Sequence, residues 1–324
     1  MKKIKAGIIG GAGYTGGELL RLLLRHPDID LAFVHSKSNA GNPLHAAHPD
    51  LLGETELRFS DSIQTDIDVM FLCLGHGDSK VFLAETLFPD AVKIIDLSQD
   101  FRIKSPESED FVYGLTEMNT SQIREAQRLA NPGCFATAIQ LALLPLADGQ
   151  LLRNDIHISA ITGSTGAGQS LTPTSHFSWR NNNISIYKAF QHQHLKEITQ
   201  SVQSLQPDFD RRMNFIPFRG NFTRGILASV YLDIDISINR AIEIYREYYQ
   251  ESPFVHISDS NPDIKQVVNT NNAILHLDQH NGTLHIISAI DNLLKGASGQ
   301  AVQNMNLMFN IPETSGLRLK ASAF

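Results

Sequence analysis

Residues Ile4 to Ile9 form a short apolar run that opens into Gly10-Gly11-Ala12-Gly13-Tyr14-Thr15-Gly16, and the helical pattern Glu18-Leu19-Leu20-Arg21-Leu22-Leu23-Leu24 follows. No other stretch restricts the fold as tightly. Strand, glycine turn and helix in that order form the first unit of a parallel α/β sheet. Gly10, Gly13 and Gly16 allow a backbone to approach a pyrophosphate at the helix N-terminus. A glycine trio alone is equally an ordinary strand-to-helix turn; the flanking elements are what point to a dinucleotide. The next strand, Leu31 to His35, ends about twenty residues after Gly16, where an NAD-binding chain usually carries an acid for the ribose. Here the chain reads Ser36-Lys37-Ser38. One cation and two hydroxyls suit a 2′-phosphate, so the expected cofactor is NADP(H), although a lysine between serines is also common on any loop.

The pattern continues with a strand from Val69 to Leu74, Gly75-His76-Gly77, a helix from about Ser79 to Leu87, and a strand from Val92 to Leu97. Gly75 falls where the C-terminal end of a parallel strand meets a ligand crevice. Arg102, in the loop Ser98-Gln99-Asp100-Phe101-Arg102, offers a fork to a phosphate or carboxylate, or forms a surface salt bridge. Strands alternating with helices predict a Rossmann-type doubly wound parallel sheet up to about Pro132. Beyond it the period changes. Ile156 to Ile161 alternates, as do Ile226, Ala228, Val230, Leu232, Ile234 and Ile236, and Asn281-Gly282 marks a hairpin. With helices near 194–205 and 239–250, these imply an α+β domain with a mostly antiparallel sheet, whose uncovered face suits a subunit interface. Gly296 to Asn310 reads as a helix returning to the first domain. The expected division is 1–133 plus 297–324 for the dinucleotide, and 134–296 for catalysis and oligomerisation.

Three stretches carry chemistry. In Asn131-Pro132-Gly133-Cys134 the proline and glycine force a turn, and the apolar run Phe135 to Leu144 reads as a buried helix. Cys134 then sits at a helix N-terminus, which favours a thiolate, the nucleophilic form; otherwise it is a small buried apolar residue. Gly163-Ser164-Thr165-Gly166-Ala167-Gly168 offers backbone N–H groups to a cofactor or oxyanion, and such loops are also merely flexible. The third is His192-Gln193-His194-Leu195-Lys196-Glu197. On a regular helix residues two apart face opposite sides, so the histidines should not share an ion. One of them at a helix start can carry a proton, though a packed or solvated histidine is commoner. His45 and His48 have a metal-like spacing without a third ligand, and no metal is expected.

At 324 residues the chain has room for two cores, and 42% hydrophobic with 19% charged residues is ordinary globular composition. A net charge of -7 without a basic run argues against nucleic acid. No apolar run is long enough to span a membrane, and Met1-Lys2-Lys3 leads straight into a strand without a signal-peptide apolar region. Two cysteines fit a reducing compartment, so the expectation is cytoplasmic.

Assembled, these residues resemble the N-acetyl-γ-glutamyl-phosphate reductase family of arginine biosynthesis and, more distantly, aspartate-semialdehyde dehydrogenases. The glycine turn with Tyr14 and Thr15, Asp96 to Arg102, Tyr113 to Glu117, Asn131 to Cys134, Thr165 to Gly168, His192-Gln193-His194 with Glu197, Arg224-Gly225-Ile226, and Asp291 to Asn304 each match a family signature. The resemblance implies an enzyme that reduces an N-acyl-glutamyl 5-phosphate to the semialdehyde with NADPH through a Cys134 thioester. His192 is the expected acid/base with His194 as the fallback. Arg102, Glu197 and Arg224 are expected at the substrate. Thr165, Gly166, Gly168 and Asn304 join the cofactor set, and a dimer or tetramer is expected. An aspartate-semialdehyde dehydrogenase-like enzyme and a catalytically silent NADP-binding regulator are the alternatives. One departure stands out. Where the family shows Pro-His-Leu-Val-Pro, this chain has Pro217-Phe218-Arg219-Gly220-Asn221. Acetyl is the default acyl group, and succinyl with Arg219 as its partner is the sharper expectation.

Overall fold

The computed structural model describes residues 3–323; Met1 and Lys2, read above as part of the lead into the first strand, lie outside the described residues, as does Phe324. Two compact units form, Met1–Pro132 with Ala297–Arg318, and Gly133–Gly296 with Leu319–Phe324.

The first unit alternates β1 (Ile4–Ile9), α1 (Tyr14–Leu23), β2 (Ile29–His35), β3 (Phe59–Ser60), β4 (Val69–Leu72), α2 (Asp78–Glu85), β5 (Lys93–Asp96), β6 (Phe111–Tyr113), α3 (Thr116–Glu125) and β7 (Arg128–Ala130). Its strands make one seven-stranded sheet in the order β3-β2-β1-β4-β5-β7-β6. All its ladders are parallel. Because β2 and β4 flank β1 on opposite sides, the strand order reverses at the end of β1, the position where such sheets receive ligands. The central strands are buried on both faces (Ile8, Ile9, Met70, Phe71, Leu72 and Ile95 have no exposure), which accounts for their continuous apolar runs.

In the second unit, α4 (Cys134–Asp148) is followed by β8 (Ile156–Thr162), α5 (Phe177–Arg180), β9 (Ser185–Ile186), α6 (His194–Leu205), β10 (Met213–Arg219), β11 (Ile226–Asp233), α7 (Ile238–Tyr248), β12 (Val255–Ile257), β13 (Ala273–His280) and β14 (Thr283–Ile290). The sheet order is β12-β13-β14-β11-β8-β10-β9. It is mostly antiparallel; β8 with β10 and β12 with β13 run parallel. On β8 and β11, alternate residues are buried beneath the helices while His157, Ser159, Ile161, Leu227 and Ser229 on the other face stay half-exposed. Asn281 (φ 50) and Gly282 (φ 87) close the hairpin between β13 and β14 with both residues left-handed, as an Asn-Gly type I′ turn requires.

Helix α4 is buried from Phe135 to Ala147 and contains Pro145. Proline cannot donate to the carbonyl four residues earlier. That carbonyl, Leu141 O, accepts instead from the Tyr249 hydroxyl at 2.6 Å, and Ala142 O accepts from the Tyr245 hydroxyl. The chain then leaves through a π-helical turn, Leu294–Ser298, into α8 (Gly299–Met308), which belongs to the first unit and is buried throughout. From Leu319 the chain lies with the second unit rather than the first, where Ser322 N donates to Val268 O at 3.2 Å. None of the described helices is long and apolar enough to cross a membrane.

Candidate active site

In the first unit, Gly10, Gly13, Tyr14, Thr15 and Gly16 follow β1, Ser36, Lys37 and Ser38 follow β2, and Gly75 follows β4, so neighbouring strands bring these cofactor candidates together. Gly10 has φ +79, and a Cβ on it would lie 2.4 Å from Cys73 O. At Gly16 a Cβ would lie 2.7 Å from the Gly11 backbone, so only glycine lets α1 start this close to β1. Beside Gly13 there is room, the nearest atom to a Cβ being Gly10 O at 3.9 Å. The first turn of α1 has no side-chain cap and no acid. An uncapped helix N-terminus under an open glycine fits a dinucleotide pyrophosphate. Behind β2, Asn39 Nδ2 donates to both Ser36 Oγ (3.2 Å) and Ser38 Oγ (3.1 Å), gathering the two hydroxyls beside Lys37. His48, weighed above as half of a metal pair, packs under this turn with its Nε2 2.8 Å from Gly11 O. Among the described residues no group of three or more His, Cys, Asp or Glu side chains could hold a metal ion.

Several expected site residues also make hydrogen bonds within the protein. Asn304 Nδ2 donates to Gly114 O (2.8 Å) and Asn131 Oδ1 (3.1 Å), and its Oδ1 accepts from Thr116 Oγ1 (3.1 Å). The Arg224 fork closes on the fully buried carboxylate of Asp291 through two 3.1 Å bonds. Asp291 in turn accepts from the N–H groups of Leu293 and Leu294, fixing the start of the π-helical turn. Arg102 is 6% exposed and braces a loop, donating from Nε to Asn131 O (2.8 Å) and from a terminal nitrogen to Leu97 O (2.9 Å). Thr165, Gly166 and Gly168 lie in the second unit, apart in sequence and unit from the other cofactor candidates. The Thr165 hydroxyl donates to Thr223 O at 2.6 Å and accepts from Asn292 at 3.0 Å.

The second unit assembles the chemistry around Cys134, the first residue of α4, with Gly133 as its N-cap. Glu197 is 2% exposed, and its Oε2 accepts from Gly133 N–H at 3.0 Å. Glu197, expected at the substrate, thus braces the start of the Cys134 helix. His194 Nε2 lies 3.8 Å from Glu197 Oε1. The two histidine rings are 4.6 Å apart, not on opposite sides as a regular helix would place them, because α6 begins only at His194. His192 Nδ1 accepts from His194 N–H at 3.2 Å, which leaves Nε2 to carry the proton of the neutral ring. Phe135 packs edge-on against His192 at 5.5 Å, and Tyr187 does so from another side at 5.7 Å. Arg219 then lies over the Tyr187 ring, 4.6 Å from its centroid. Tyr187 and Gly296 were not legible as site residues: Tyr187 belongs to no motif, and Gly296, inside the Asp291 to Asn304 signature, gives no sign there of its closeness to Cys134.

Burial holds the His192 imidazole neutral, down to about 3, with the charges of His194 and Lys188 adding to it and Glu197 opposing. Burial, then the negative charge of Cys134, push the Tyr187 phenol up. Cys73, the other thiol, is driven by burial up to about 12 and remains a thiol. A histidine protonated at about 6.5 when unfolded but neutral when folded favours the folded state only above that pH. Its contribution is lost as pH falls from about 6.5 toward 3, and His26, His35 and His285, all lowered by burial, act in the same sense. Melting temperature should therefore fall between pH 7 and pH 4.5, and His192→Gln should reduce that fall by an amount on the order of a few degrees. An identical slope in both proteins contradicts the neutral assignment.

Gly296 approaches the nucleophile directly, since a Cβ on it would lie 2.8 Å from Cys134 Cβ. Gly296→Ala should therefore displace the thiol and reduce kcat about 10²-fold, with the circular dichroism spectrum unchanged. Wild-type kcat in that variant removes the contact from the site.

The fold and these residues define a semialdehyde-dehydrogenase class of protein. The family model described as semialdehyde dehydrogenase, NAD binding domain, matches residues 5–126, and the one described as semialdehyde dehydrogenase, dimerisation domain, matches residues 134–292. A Bacteroides thetaiotaomicron protein named N-acetyl-gamma-glutamyl-phosphate reductase is 58% identical over 322 residues, covering 99% of this chain and 100% of its own. A protein of the same name from Azobacteroides pseudotrichonymphae is 60% identical over 322 residues with the same coverage. The chain belongs to the N-acetyl-gamma-glutamyl-phosphate reductase family. Among solved structures, aspartate semialdehyde dehydrogenase II from Vibrio cholerae superposes with a TM-score of 0.74 at 16% identity, covering 96% of this chain and 99% of that one. Aspartate semialdehyde dehydrogenase with NADP from Candida albicans gives 0.71 at 13% identity, covering 95% and 99%. At these identities the two share the fold.

Proposed function

We propose that this protein reduces an N-acyl-L-glutamyl 5-phosphate to the 5-semialdehyde and phosphate, with NADPH as reductant. The observation that carries the reading is the arrangement of Cys134 at the start of α4, braced by Glu197 through Gly133 and accompanied by His192. The full-length relatives of the same family support the substrate. The Cys134 thiolate attacks the acyl phosphate carbonyl; a C–S bond forms, the C–O bond to phosphate breaks, and phosphate leaves with the bonding pair. The nicotinamide, when bound, supplies the hydride that the thioester carbon needs. His192, with Nε2–H outward, donates to the carbonyl oxygen as negative charge develops and takes the proton back when the C–S bond of the thiohemiacetal breaks, releasing the aldehyde and restoring the thiolate.

In this reading the first unit binds the nucleotide and the second performs the chemistry. The glycine turn takes the pyrophosphate, and Ser36, Lys37 and Ser38 take a 2′-phosphate, so NADP is favoured over NAD. The half-exposed sheet face of His157, Ser159 and Ile161 pairs with a second copy in a homo-oligomer. The test is NADP reduction with N-acyl-glutamate 5-semialdehyde, run with and without phosphate and repeated with NAD. Phosphate-dependent turnover with a KM for NADP at least about tenfold below that for NAD is expected. Turnover with aspartate semialdehyde alone overturns the substrate, and an NAD preference overturns the cofactor.

A further inference from the structure

The ladder between β8 and β10 sets Phe215 opposite Ile158, Pro217 opposite Ala160 and Arg219 opposite Thr162. Ile158, Ala160, Thr162 and Phe215 are buried, so this row faces the helices, and Phe215 meets both Phe135 (5.3 Å) and His192 (5.4 Å). Side chains two apart on a strand share a face. An apolar row that begins at Phe215, against Phe135 and His192, thus ends in a cation and a hydroxyl, side by side.

Each keeps a polar atom without a partner within the protein, although the Arg219 side chain also bonds Tyr187. Thr162 is 1% exposed and its Oγ1 has no hydrogen-bond partner, and Arg219 Nε is buried without one. Arg219 packs over the Tyr187 ring, and among the described residues no carboxylate forms an ion pair with it. A second cation lies nearby: Arg180, 7% exposed, donates to the Arg219 backbone O at 2.8 Å and feels the Arg219 charge. A half-buried cation whose Nε is shut off from water, with a cation for a neighbour, gains when an anion arrives. A planar fork beside a hydroxyl donor matches a carboxylate.

We propose that Arg219 and Thr162 form the subsite that holds a carboxylate of the substrate beside Cys134. This rests on the N-acyl-glutamyl phosphate reading. That substrate carries an α-carboxylate and, when the acyl group is itself a diacid, a second carboxylate. Either one fits the fork, and it is placed by the protein rather than by the reacting phosphate.

The test measures KM in the aldehyde-oxidising direction for N-acetyl- and N-succinyl-glutamate 5-semialdehyde and for phosphate, in the wild type, Arg219→Gln, Arg219→Lys and Thr162→Val. Arg219→Gln should raise the semialdehyde KM about tenfold or more with kcat and the phosphate KM within about twofold, and Arg219→Lys should recover part of the loss. A rise with both semialdehydes places the α-carboxylate at Arg219; a rise with the succinyl compound alone places the acyl carboxylate there. Unchanged semialdehyde KM values, or a rise confined to phosphate, overturn the proposal. Calorimetric binding of N-acetylglutamate and N-succinylglutamate to the full chain separates this from the reaction itself. A wild type that binds but does not turn over defeats only the reaction. Equal affinity of wild type and Arg219→Gln for both acids defeats the subsite.

Discussion

Cys134→Ser should reduce kcat by at least about 10⁴-fold, with melting temperature and NADP affinity unchanged. A serine hydroxyl at the start of α4 keeps the size and the helix-end environment but ionises far too weakly to expel phosphate. The ester it formed would also resist the hydride that a thioester accepts. Cys73→Ser is the internal comparison. Burial holds that thiol at about 12, it follows β4 in the first unit, and its loss should change kcat by no more than about twofold. Steady-state rates for both variants decide the matter. A Cys134→Ser enzyme within tenfold of wild type leaves no covalent step for Cys134.

His192→Ala should reduce kcat about 10²–10⁴-fold, the range of a well-placed proton carrier. The ring is 5% exposed, its Nδ1 is fixed by the His194 N–H, and burial keeps it neutral, so Nε2–H is available at neutral pH without a titration. His194→Ala removes a ring paired with Glu197, and through it some of the order at Gly133. A smaller loss is expected there, on the order of tenfold, because the Glu197 bond to Gly133 survives. His192→Asn retains an acceptor for the His194 N–H but cannot shuttle the proton, so it should behave as His192→Ala does. If His194→Ala is the crippled variant and His192→Ala is not, the proton role passes to His194.

Local chemistry was legible in the sequence wherever a backbone requirement selects the residue. The glycine turn after β1 and the Asn281-Gly282 hairpin are positions where left-handed or closely packed backbone excludes most side chains. Alternation located β8 and β11 because each has one covered face. It failed for β10, where Pro217 breaks the run and the covered row ends in Arg219. The site residues divide in the same way. Cys134 is visible because proline and glycine precede an apolar helix. Arg224, Asn304 and Glu197 carry the right chemistry for a ligand, and each also bonds a partner far away in the chain: Asp291, Asn131 and Gly133. Such pairings are settled by packing, which a single sequence does not display. The same limitation hid Gly296, whose closeness to Cys134 depends on the π-helical turn that Asp291 anchors.

The thioester itself is the most direct test. Protein mixed with N-acyl-glutamyl 5-phosphate in the absence of NADPH should release close to one equivalent of phosphate in a burst. Mass spectrometry of its peptides should then find the acyl group on Cys134. No burst and an unmodified Cys134, in a preparation that turns over once NADPH is added, would contradict covalent catalysis at this residue.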